Sequence, residues 1–109
     1  VAPTDLDVAN PKNKTNHVCF HSDVKKAFAD VMSWGFVDIF RKHLPGDGEY
    51  SFWDYRIKDS LSRNIGWRID PIIGTEFMAG ASRKVRVERS LRAMERPSDH
   101  TAVVGSFEI

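Results

Sequence analysis

Apolar positions recur every three to four residues in the first half of the chain and every second residue in much of the second half. Val24, Ala27, Phe28, Val31 and Met32 follow the i, i+3, i+4, i+7, i+8 spacing of one buried helical stripe. Ser22 can cap that helix, and Asp23 suits the positive end of its dipole. Gly35 stands where a left-handed residue would end it. Residues 36–43 predict a second short helical turn, with Phe36, Ile39 and Phe40 inward and Pro45 and Gly46 closing it.

Residues 50–55 (YSFWDY) are aromatic-rich and strand-like, and residues 66–75 (GWRIDPIIGT) predict a strand with Asp70 in its middle. The polar loop between them, residues 56–65, is long for a simple connection. Residues 77–81 suit one helical turn, residues 84–88 alternate as a half-buried strand does, and residues 101–109 form a last strand. Upstream, residues 1–11 read as an extended lead broken by turns at Pro3-Thr4-Asp5 and Asn10-Pro11, and residues 12–16 as a polar loop. Helices first and strands afterwards imply an α+β fold with a mostly antiparallel sheet and helices on one face.

Composition narrows the classes. A chain of 109 residues with 41% hydrophobic content is one domain, or part of one, and not a disordered segment. Its formal charge of +1 does not mark a nucleic-acid binder. The charge is uneven, however: Arg83, Lys84, Arg86, Arg89, Arg92 and Arg96 face only Glu88 and Glu95 over one stretch, which could meet phosphates or form a solvated strand face. Cys19 is alone, so no intrachain disulfide forms. No apolar run is long enough to span a bilayer and no signal-peptide pattern opens the chain, so the expected setting is soluble and intracellular, in the cytoplasm. The chain opens in mid-phrase at Val1, as a piece of something longer would.

Candidate chemistry concentrates in residues 95–104, ERPSDHTAVV, where Asp99 and His100 sit on a loop at the mouth of an apolar strand. Asp70 is the sharpest oddity, because a carboxylate flanked by isoleucines needs a partner. That partner could be Arg68, Arg56 or a histidine whose ring it orients, and His100 is the natural candidate. Asp99 could bind a hard divalent cation through oxygen, although one carboxylate is half a site. His17, Cys19 and His21 alternate like ligands on one strand face, but a fourth ligand is missing, so they read as a loop leading into the helix. Phe52, Trp53 and Trp67 border polar loops and could be core or could stack on bases and sugars, with Gly66 allowing a backbone turn that lifts Trp67 outward.

YSFWDYR, RNIGWRID and RPSDH, in this order and spacing, closely resemble the C-terminal half of the exodeoxyribonuclease III family of AP endonucleases, within the endonuclease/exonuclease/phosphatase superfamily. The opening VAPTDLDV resembles the segment after that family's Gly-Asp-Phe-Asn motif. The Ser-Asp-His motif alone would mark only the superfamily, which includes phosphoinositide phosphatases and sphingomyelinases. The resemblance implies half of a four-layer α/β sandwich, with residues 1–109 as a single C-terminal portion. It also implies Mg²⁺-dependent (or Mn²⁺-dependent) hydrolysis of DNA phosphodiesters at abasic sites and 3′ ends of double-stranded DNA. Carried over by motif, Asp70 would hold His100, His100 would contact the scissile phosphate, and Asp99 would lie on the metal side. Phe52 and Trp67 would line the pocket for a flipped-out abasic sugar, while Trp53 and Asn64 would help hold the DNA.

Two departures qualify this. The family's metal-binding Glu, active-site Tyr and Asp-Asn pair have no counterpart in these residues, so the metal is expected only together with the missing half and the chain alone should be inactive. Its uncovered sheet face should then promote self-association. Pro71 follows the strand carboxylate and removes a ladder donor, which calls for an edge, a bulge or an unpaired point. The alternatives are a DNA-binding module without catalysis and a phosphatase relative of the same fold.

Overall fold

A computed structural model describes residues 1–109. The periodic segment forms helix α1, Ser22–Met32, at the expected place. Its cap is His21 rather than Ser22: the ring Nδ1 accepts from the Asp23 N–H at 3.2 Å, so an imidazole occupies the first orphan donor. The apolar stripe is only partly covered: Val24, Phe28 and Met32 are half-buried, Ala27 and Val31 are exposed, and no residue of α1 is buried. Gly35 follows with φ +112°, the conformation predicted for the helix end.

Phe36 corrects a sequence expectation. Instead of starting a helical turn, it opens strand β1, Phe36–Asp38, which pairs antiparallel with β2, Ile73–Thr75. Phe and Val favour the pleated surface, and Asp38 then starts helix α2, Ile39–His43, by accepting from the Arg41 N–H at 3.1 Å. Helix α3, Glu76–Ala81, is capped by Thr75 and leads into strand β3, Ser82–Val87. β3 pairs antiparallel with β4, Val103–Phe107, placing Val85 opposite Gly105 and Val87 opposite Val103. The α+β class and antiparallel pairing expected from the sequence are present, divided between two short ladders.

The basic run is not a continuous strand face. A short helix α4, Arg89–Arg92, interrupts it and buries Arg92, whose Nη2 donates to the Trp53 carbonyl at 2.9 Å. Arg83 and Arg86 pair with Glu108 and Glu88.

Between the ladders, residues 50–55 and 66–70 do not form full strands. They are joined by single antiparallel bridges, Val8 to Trp67, Trp67 to Phe52 and Phe52 to His100. Pro71 explains the break, because it offers no N–H to continue pairing from Trp67 into β2. Two apolar clusters flank this region. Ala2, Val8, Phe20 and Trp67 form one, and Ile39, Phe40, Ala79 and Val85 form the other.

Candidate active site

Directly paired residues of an antiparallel run project to the same face. The bridges therefore set Val8, Trp67, Phe52 and His100 in one row across four chain segments. The Phe52 and His100 rings lie 4.9 Å apart between centroids. Trp67 packs against Phe20 edge-on and lies under the His17 ring at 4.2 Å. It is only 3% exposed, so Gly66 does not lift the indole outward. Gly66 is required for a different reason: a Cβ there would stand 2.7 Å from Trp53 Nε1 and 2.9 Å from the Phe52 carbonyl oxygen.

Asp70 and His100 are brought together. His100 Nδ1 lies 2.7 Å from Asp70 Oδ2, and because a carboxylate only accepts, the ring nitrogen donates. The pair is half-exposed, with 43% of the histidine and 42% of the aspartate side chain open, so Asp70 is not the buried carboxylate its flanking isoleucines suggest. Arg56, one of the alternative partners, instead pairs with Asp54 at 2.8 Å. Ser51, which the sequence does not signal, donates from Oγ to the same Asp70 oxygen at 2.7 Å. The loop is held from three sides. The Asp99 carbonyl accepts from Trp53 N–H at 2.9 Å, Thr101 N–H donates to the Ser51 carbonyl at 2.8 Å, and the Ser98 hydroxyl accepts from His100 N–H at 3.1 Å.

Arg68, the other alternative partner, serves a separate network. Its Nε donates to Asp7 at 2.6 Å, and its two terminal nitrogens form a bidentate pair with Asp38 at 2.9 and 2.6 Å. Asp7 also accepts from the Thr4 N–H and hydroxyl, both at 2.9 Å, and from Arg41. Burial pushes the Asp7 carboxyl up, but Arg68, Thr4 and Arg41 together outweigh it and hold it below the ordinary carboxylate value. Burial likewise opposes the charge on Arg68, while Asp38 and Asp7 more than restore it. This network anchors the N-terminal turn and the β1–α2 junction to the segment carrying Trp67 and Asp70.

Trp53 and Asn64 form a joint. Trp53 is 1% exposed, and its Nε1 donates to Asn64 Oδ1 at 3.1 Å. Asn64, at φ +51°, also accepts from Arg89 at 2.9 Å and donates to the Gly48 carbonyl at 3.0 Å. Most of its hydrogen-bonding capacity is thus spent inside the chain. Nothing gathers around Asp99: no three His, Cys, Asp or Glu side chains converge anywhere to hold a metal ion. His17 and His21 are accounted for locally, since their Nδ1 atoms accept from the N–H groups of Cys19 and Asp23.

No family model matches the chain. Known proteins do. An exodeoxyribonuclease of Bacillus subtilis is 39% identical over 94% of the chain, and an exodeoxyribonuclease III of Haemophilus influenzae is 31% identical over 99% of it. Among solved structures, an AP endonuclease from Archaeoglobus fulgidus superposes over the whole chain with a TM-score of 0.96 at 39% identity. A Neisseria 3′ phosphatase bound to product DNA hairpin does so at 0.89 and 33%. The chain spans about two fifths of each relative, from 39% of the Bacillus protein to 43% of the Haemophilus one. No helix is long and apolar enough to cross a membrane. Sequence likeness and backbone superposition over nearly the whole chain make it similar to a C-terminal part of exodeoxyribonucleases and AP endonucleases.

Proposed function

We propose that the native protein carrying this chain hydrolyses DNA phosphodiesters at abasic sites and 3′ ends, with His100 contacting the scissile phosphate. The observation that carries this reading is the 2.7 Å bond from His100 Nδ1 to Asp70, which leaves Nε2 without a protein partner beside Phe52. With both ring nitrogens protonated, His100 donates from Nε2 to a phosphate oxygen while Asp70 holds the Nδ1 side of the ring. Phe52, next in the row and partly exposed, offers an apolar wall for a flipped-out abasic sugar, whereas Trp67, buried under His17 and Phe20, only backs Phe52 from the interior. Trp53 and Asn64 support DNA binding by holding the 56–65 loop against that wall.

These residues do not by themselves fit a Mg²⁺ or Mn²⁺ site, because Asp99 supplies one carboxylate and no cluster surrounds it. Asp99 would be one oxygen donor among ligands from outside these 109 residues. The 109 residues alone should therefore leave an abasic-site duplex intact in Mg²⁺, whereas the native protein should cleave it. Cleavage by the 109 residues alone would overturn the incompleteness, and an inactive native protein would overturn the nuclease reading. Taken alone, the chain should also self-associate through an uncovered sheet face, which light scattering would register as a dimer or larger.

A further inference from the structure

We infer that Ser51 is a positioning residue for His100, acting through Asp70 to fix which imidazole nitrogen carries the proton. The inference deepens the reading of the same site and rests on it for its catalytic consequence only. Ser51 is fully buried and sits where three segments cross. Its N–H donates to the Trp67 carbonyl at 2.9 Å, and its carbonyl accepts from Thr101 N–H at 2.8 Å. This backbone pairing holds its side chain between the 67–70 segment and the histidine loop.

The direction of the hydrogen bonds follows from chemistry. The Ile69 N–H can only donate, and it lies 3.3 Å from Ser51 Oγ. A hydroxyl has one proton, so with a lone pair facing Ile69 it sends that proton to Asp70 Oδ2, 2.7 Å away. The same oxygen takes the Nδ1–H of His100. One carboxylate oxygen thus receives two donors and cannot rotate without losing both. The chain from Ile69 through Ser51 and Asp70 to His100 runs one way. Nδ1 is the protonated nitrogen of the neutral ring, and Nε2 is the one left free to take up a second proton and donate it to substrate. Removing the hydroxyl frees the carboxylate to turn, and the imidazole is then free to adopt the other tautomer.

The test reads the ring nitrogens of His100 in the native protein by long-range ¹H–¹⁵N correlation, at a pH where the ring is neutral. Wild type should show Nδ1 protonated. Asp70→Asn, the positive control, should switch the tautomer, as loss of an accepting carboxylate does. Ser51→Ala should shift the population toward the Nε2–H form and lower kcat about 10-fold with KM little changed, the scale expected for a supporting partner. Ser51→Thr, which keeps the hydroxyl, should restore both. If Ser51→Ala does not fold, Ser51→Cys, with a poorer donor in a similar volume, should give the same nitrogen shifts. Unchanged His100 nitrogens in these variants would overturn the inference even if activity fell, because Ser51 would then act only on the fold. A tautomer shift in a protein that cleaves no DNA would uphold it and discard the nuclease reading instead.

Discussion

Arg68 and Asp70 are two residues apart on one segment, and the carboxylate pairs they belong to have opposite character. Arg68 is 1% exposed and reaches two aspartates, with every terminal nitrogen engaged. Asp70 is half-open and holds a histidine whose second nitrogen faces no protein group. A buried charge must be satisfied completely or the fold loses stability. A charge at a working site must be satisfied incompletely, so that something remains for substrate. The contrast between a closed and an open pair falls within three residues of chain.

The largest effect should come from the buried side. Arg68→Met leaves Asp38 without a guanidinium and Asp7 with only Arg41 and Thr4, and should cost about 3–5 kcal/mol in denaturant unfolding. A loss below about 1 kcal/mol would show that the network is dispensable. On the open side, Asp70→Ala should cost less, about 1–2 kcal/mol, most of it from the buried Ser51 hydroxyl that loses its acceptor. Substituting Gly66 by Ala tests the close crossing between the two regions. Its Cβ would meet backbone and ring atoms under 3.0 Å away, so about 1–3 kcal/mol should be lost. Smallest, and confined to acid, is the titration of Asp7. Its folded carboxyl lies below the ordinary 3.8, so its contribution is complete above that value and is lost as pH falls through the folded one. Unfolding free energy measured against pH should therefore decline in that window, and the decline should flatten in Arg68→Met. An unchanged decline in the variant would assign the acid sensitivity to other carboxylates.

What the sequence disclosed follows the same division. The Asp70–His100 pair was legible because a carboxylate among isoleucines and a Ser-Asp-His loop are local oddities, and the family resemblance joined them. Ser51 was not, since a serine between two aromatics has no distinguishing pattern and its role appears only where three segments cross. The Arg68–Asp7 pair spans 61 residues, a separation at which charges of opposite sign are too common to match by inspection. Helix α1 was predicted by its stripe, but periodicity identifies an apolar face without saying what covers it. Phe36 misled because one aromatic before a helix serves a strand equally well, and the partner strand β2 lies far along the chain. Trp53 and Trp67 were left open between core and contact surface, and both lie in the interior, the first tied to Asn64.

The most direct test of the account compares native protein with His100→Ala on an abasic-site duplex in Mg²⁺, with thermal unfolding followed on the same samples. Cleavage should fall about 100-fold or more, within the usual range for a proton-donating group, while the unfolding midpoint stays close to that of the native protein. Undiminished cleavage by a folded His100→Ala protein would contradict the assignment of the open pair to chemistry.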